Sequence, residues 1–215
     1  MKAVTSPLQQ RFPTRVVPFI HGGFAMDMLL PASAEDLIDE REFDADERLP
    51  YWAELWPSAQ ALARYLLDEP LPSGPTLELG AGIALPSLAL RWCGAEVLAT
   101  DYYPDALLFA EANAASLDLT LPTRLVDWRT PPPDLERWPF VIAADVLYER
   151  RNVDALAGVL PHVLAPGGEA VIADPGRVYL GDFLELAREA GWTVEQVAER
   201  QEESSRVQIW RLRAQ

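Results

Sequence analysis

Residues 76–90 read TLELGAGIALPSLAL, and this stretch decides the fold. A short apolar run carries an acid, Glu78, crosses two glycines one residue apart, Gly80 and Gly82, and enters a helical spacing of Leu85, Leu88 and Ala89. The pattern is a strand that turns on glycines directly into a helix. Glycine supplies the backbone freedom such a turn needs, and it lets the backbone approach whatever the turn holds.

Downstream the same alternation repeats. AEVLAT is followed by DALLFAEANAASL, TRLVDW by a proline-rich link, FVIAAD by a helical pattern near Val153 to Val163, and EAVIAD by FLELAREAG. The chain closes with WTVEQVAE and RVQIWRLR, two strand candidates with no helix between them. Near-continuous apolar strands alternating with helices of about ten residues predict a parallel sheet covered on both faces. The expected fold is therefore α/β, doubly wound and mostly parallel, with seven strands and an antiparallel hairpin at one edge. Upstream, Pro57 suits the first turn of a helix that carries Leu62, Tyr65 and Leu66.

Two regions are expected. Residues 50–215 form the α/β domain, and residues 1–49 form an N-terminal extension or flap. The extension holds two short apolar pieces, RVVPFI and FAMDMLL, and the acid-rich segment Glu35 to Glu47.

At 215 residues the chain suits one sizeable core. Hydrophobic residues make up 49% and charged residues 24%, and no apolar run approaches the length of a membrane span. The N-terminal residues lack the pattern of a secretory signal, so a cytoplasmic, monomeric protein without membrane contact is expected. The net charge of −15 repels a phosphate backbone, which argues against nucleic acid as a partner and suits a cationic one. A lone Cys93 is expected to be a small buried hydrophobe, and two separated histidines, His21 and His162, offer no metal site.

Open parallel sheets bind ligands beyond the carboxyl ends of their strands. Those ends are Glu78 to Gly82, Asp101, Asp127 with Trp128, Asp145 to Tyr148, and Asp174. Asp101 lies 19 residues after Gly82, where an acid accepts hydrogen bonds from a ribose diol. A dinucleotide turn would carry a third glycine where this chain has Leu85, and Glu78 would oppose a pyrophosphate. A ligand with a ribose, no phosphate and a cationic portion fits better, and S-adenosylmethionine meets that description.

PYWAELWPSAQALARYLL, LELGAGIALPSLAL, ATDYYPDALLFAEANAA, VDW and DVLYE, in that order, resemble the seven-strand S-adenosylmethionine-dependent methyltransferases. More narrowly they resemble methyltransferase family 16, a protein-lysine methyltransferase branch. The likeness covers Pro50 to about Val163. It implies a Rossmann-like methyltransferase fold, S-adenosylmethionine as cofactor and a protein substrate with an exposed lysine. It also implies that Glu78, Gly80 and Gly82 form the first cofactor motif, Asp101 with Tyr102 the ribose position, and Asp127 with Trp128 the adenine position. Trp56 and Ala144 line the same cofactor site. Asp145 and Tyr148 match the D/E-x-x-Y element after the fourth strand of the α/β core and stand as the catalytic pair. The alternatives are a small-molecule N- or O-methyltransferase on the same fold, or a cofactor-binding scaffold without turnover. A nucleic-acid amino-methyltransferase is disfavoured, because its Asn/Asp-Pro-Pro-aromatic signature is replaced by DVLY.

Overall fold

The computed structural model describes residues 7–37 and 49–214. A short helix α1 (Pro7–Arg11) leads into strands β1 (Thr14–His21) and β2 (Phe24–Pro31). The chain continues through α2 (Pro57–Asp68), β3 (Thr76–Leu79), α3 (Leu85–Trp92), β4 (Val97–Asp101), α4 (Pro104–Ser116) and β5 (Thr123–Leu125). It then forms β6 (Trp138–Ala144), α5 (Arg150–Val163), β7 (Leu164–Asp174), α6 (Leu180–Glu189), β8 (Thr193–Glu202) and β9 (Ser205–Arg213). Helices α2, α3 and α4 carry proline in their first turn, Pro57, Pro86 and Pro104, where the missing N–H has no intrahelical partner to lose.

The main sheet has seven strands in the order β5-β4-β3-β6-β7-β9-β8. The five strands from β5 to β7 run parallel, whereas β9 pairs antiparallel with both β7 and β8. This is the expected doubly wound sheet with its antiparallel edge hairpin. Alternate residues face opposite ways, as the strand pleat requires. Leu77, Leu79, Val141, Ala143, Ala170 and Ile172 pack under α5 and α6. Ile142, Val171 and Ala173 face the other core, which α2, α3 and α4 cover.

The chain leaves β3 for β4 and β5 on one side, then returns to β6 on the other side of β3. The carboxyl ends of β3 and β6 therefore flank the point where strand order reverses, and a crevice opens there.

The two apolar N-terminal pieces are one hairpin, in which His21 pairs with Phe24 across Gly22 and Gly23. Both glycines have positive φ, as a two-residue hairpin turn demands. Phe19, Phe24, Met26, Met28 and Leu30 are buried and belong to the same core as α2, α3 and α4. The Phe24 ring centroid is 5.4 Å from that of Trp92 at the end of α3. Asn113 of α4 completes the attachment: its Oδ1 accepts from the Leu29 N–H at 2.7 Å and its Nδ2 donates to the Leu29 carbonyl at 3.0 Å. The acid-rich stretch enters the structure only as the exposed turn Glu35–Leu37, and its residues 38–47 lie outside the described residues.

Two expectations are corrected locally. Cys93 is half-buried at the C-cap of α3 rather than enclosed in the core, and burial pushes its thiol up from the usual value. The strand expected through Asp127 and Trp128 stops at Leu125, because the chain there turns: the Arg129 N–H donates to Asp127 Oδ1 at 3.0 Å and the Thr130 N–H to the Asp127 carbonyl at 3.1 Å.

Candidate active site

One cavity of about 990 Å³, counted with its open mouth, lies across the carboxyl ends of β3, β4, β5 and β6. Its walls contain every residue expected to bind cofactor or to act in catalysis, Trp56, Glu78, Gly80, Gly82, Asp101 and Tyr102, together with Asp127, Trp128, Ala144, Asp145 and Tyr148, whereas the remaining strand-end acid, Asp174, is not part of them. Four separate strand ends and the segment before α2 thus converge on one space.

The glycine turn is held from both sides. Gly80 has φ of 66°, and a Cβ there would lie 3.0 Å from Trp128 Cζ2 and 3.1 Å from Val146 Cγ1. Gly82 has φ of 53°, and its Cβ would come within 3.3 Å of the Trp52 carbonyl oxygen. Protein neighbours therefore require these two glycines, independently of any ligand. Ala84, the residue before α3, also sits in the left-handed region at φ 63°, so the turn stores backbone strain where it meets the cavity.

Two acids fix this turn. Asp101 Oδ2 accepts from the Gly82 N–H at 2.8 Å and its Oδ1 accepts from the Tyr103 N–H at 2.9 Å. Each carboxylate oxygen has a second acceptor direction, so the group can serve the turn and still accept from a diol. Glu78 is 1% exposed, and its Oε2 accepts from both the backbone N–H, at 3.1 Å, and the hydroxyl of Ser87. Burial pushes its carboxyl up to about 8, the nearby Asp101 adds to the rise, and the Ser87 hydrogen bonds oppose it. Glu78 ties β3 to the first turn of α3.

On the β5 side, Asp127 and Arg129 form a fork, with Nε to Oδ1 at 3.0 Å and NH2 to Oδ2 at 2.8 Å. The Arg129 guanidinium lies 5.7 Å from the centre of the Tyr102 ring.

The β6 side differs in character. Asp145 is a non-glycine residue at φ 57°, directly after the strand, and its N–H donates to the Ala173 carbonyl at 2.9 Å. Asn152 of α5 secures the turn by donating to the Val146 carbonyl at 3.0 Å. The Asp145 side chain is 3% exposed; its Oδ1 accepts from Arg177 Nε at 2.6 Å, and its Oδ2 is buried without a hydrogen-bond partner. Tyr148 packs edge-on against Tyr51, with ring centroids 4.9 Å apart. Trp56 donates from Nε1 to the Tyr51 carbonyl at 2.7 Å, and the Arg177 guanidinium lies 5.5 Å from the Trp56 ring centre. Trp56 thus borders the cavity on the Asp145 and Tyr148 side.

Sequence reasoning did not single out Tyr51, Trp52, Asn152 or Arg177. Tyr51 and Trp52 lie in the quoted PYWAELW, and only their place ahead of the marked Trp56 hinted at them. Arg177 follows the strand-end acid Asp174, but its partner is 32 residues away in sequence, so no local spacing exposes the pair.

A cofactor of the expected kind fits these residues. The glycine turn, the acceptor Asp101 and the aromatic flank suit an adenosine with a short zwitterionic arm, and no third glycine prepares a pyrophosphate cradle. Among the described residues no His, Cys, Asp and Glu side chains are grouped to hold a metal ion, and no helix is long and apolar enough to cross a membrane.

Comparison with known proteins agrees with this architecture. A family model described as lysine methyltransferase matches residues 44–180. The electron transfer flavoprotein beta subunit lysine methyltransferase of Danio rerio is 34% identical over 62% of this chain and 53% of that protein. The chain therefore spans about half the length of such relatives. A protein N-terminal and lysine N-methyltransferase of Gibberella zeae is 30% identical over 68% of each chain. Among solved structures, a magnesium protoporphyrin IX methyltransferase from Synechocystis with bound S-adenosylmethionine aligns with a TM-score of 0.62 at 15% identity, over 84% of this chain and 94% of that one. At that identity the likeness speaks to fold alone.

Proposed function

The chain belongs to the lysine methyltransferase family, and from that premise we propose that it transfers a methyl group from S-adenosylmethionine to the side-chain nitrogen of a protein lysine. The observation that carries the reading is the convergence, in one cavity, of the glycine turn with Asp101 on one side and Asp145 with Tyr148 on the other.

Bound S-adenosylmethionine supplies a methyl group on a sulfonium, and the bonding electrons stay with sulfur when the methyl leaves. Gly80, Gly82 and Glu78 shape the turn around the amino-acid arm, Asp101 accepts from the ribose hydroxyls, and Asp127 with Trp128 borders the adenine. The protein's task is alignment and exclusion of water rather than acid-base chemistry. Tyr51 and Tyr148 give the acceptor an aromatic entry beside Trp56 and Ala144 of the cofactor wall, and Asp145 offers an acceptor for an amine N–H. The amine must attack neutral: giving up a proton at about pH 7.4 from a lysine pKa of about 10.4 costs ~4 kcal/mol.

Electron transfer flavoprotein beta subunit, named for several relatives, is the first acceptor to try. Incubating the protein with tritiated cofactor and either that subunit or a fractionated lysate tests the reading. Label is expected in protein. Label confined to small molecules would favour a metabolite methyltransferase, and no label anywhere would favour a scaffold.

A further inference from the structure

The Asp145 environment carries more than a hydrogen-bond acceptor. A carboxylate beside an amine stabilises the ammonium form, which is the unreactive one. Left alone, Asp145 would hold the acceptor protonated. The structure puts Arg177 against it, with Nε 2.6 Å from Oδ1. Asp174, at the end of the neighbouring strand β7, holds the loop that carries Arg177: its Oδ1 accepts from the Gly176 N–H at 2.8 Å and the Arg177 N–H at 2.6 Å, and its Oδ2 is buried without a partner. Burial, with Asp145 adding to it, pushes the Asp174 carboxyl up to about 6.

We propose that Arg177 is a positioning residue for the acceptor amine: it neutralises Asp145, so that the bound lysine loses its proton at a lower pH than the bare carboxylate would permit. This inference rests on the lysine reading above. Other charges around the cavity are paired elsewhere. Glu54, before α2, is bound by Arg15 of β1, and Arg151 of α5 is bound to Glu149. Asp127 is forked by Arg129 on the far side, and Asp101 and Glu78 serve the glycine turn. Arg177 is placed directly on the acid at the end of β6, and its guanidinium lies 5.5 Å from the ring centre of Trp56, a residue of the cavity wall.

The test is the pH dependence of kcat/KM for lysine labelling of electron transfer flavoprotein beta subunit or of the labelled lysate fraction. In Arg177→Gln the acidic limb of the profile should move up by about one pH unit, the lower end of what one nearby charge does to a pKa. Arg177→Lys should restore the native limb, and Arg177→Gln combined with Asp145→Asn should bring it back down. Asp145→Asn alone should lower it, which tests the same electrostatics without touching Arg177. Calorimetry with S-adenosylhomocysteine should return native affinity for Arg177→Gln, and this readout also certifies the fold. Two results overturn the inference while leaving the lysine reading standing: a limb that stays in place, or a gain in acceptor affinity in Arg177→Gln, which would make Arg177 a plug the substrate displaces. Failure of the native protein to label any lysine overturns both.

Discussion

Glu78 is the residue whose physics is most out of the ordinary. A carboxyl pushed up from 4.5 to about 8 by burial contributes stability that is fully present below pH 4.5 and is lost as pH rises toward 8, because the folded state resists giving up the proton. Glu78→Gln keeps an oxygen for Ser87 and removes the titration. Denaturant unfolding should therefore show the native protein losing a few kcal/mol against this variant between about pH 4.5 and 8; parallel curves would mean that Glu78 is charged throughout. Asp101 and Tyr148 separate the two halves of the cavity. Asp101→Ala should weaken S-adenosylhomocysteine binding by ~1–3 kcal/mol, since ribose hydroxyls lose a buried acceptor. Tyr148→Phe should leave that affinity unchanged and lower turnover, and equal losses of affinity in the two variants would misplace Tyr148. The acids and glycines were legible in the sequence because a parallel sheet gathers its strand ends on one edge. The cations were not. Arg177 owes its place to a contact across two strands, and Arg129 to a turn that ends β5 early.

At the scale of elements, apolar runs and proline-headed helices made the α/β core readable, and the two closing runs without a helix marked the edge hairpin. The N-terminal hairpin was as clearly encoded, with Gly22-Gly23 between alternating apolar residues. Its alternation was masked by the solvent face, where Val16 and Ile20 are 55% and 68% exposed, so the two strands read as unpatterned apolar pieces. On the α4 side, Asn113 couples this hairpin to the core by hydrogen bonds. Asn113 is fully buried and satisfies both backbone groups of Leu29. Asn113→Ala orphans them at a cost of ~1–3 kcal/mol. Faster amide exchange at Leu29 than in β3 is expected, and uniform loss of protection would show that hairpin and core open together.

For the whole molecule, a net charge of −15 gives a long-range field that favours cationic partners, among them the lysine-bearing protein proposed above. Such attraction is screened over about 10 Å at ~0.1 M salt. The KM for a protein acceptor should rise with salt while cofactor affinity changes little; a salt-independent KM would remove charge from recognition. The central claim is narrower and concerns one atom. Peptide mapping by mass spectrometry, after incubation of electron transfer flavoprotein beta subunit and lysate protein with isotopically labelled S-adenosylmethionine, identifies where the methyl group lands. The account requires labelled methyl on lysine Nε, absent with Asp101→Ala at limiting cofactor. Label on a chain-terminal amine, a hydroxyl or a small molecule, with lysines unmodified, would contradict it.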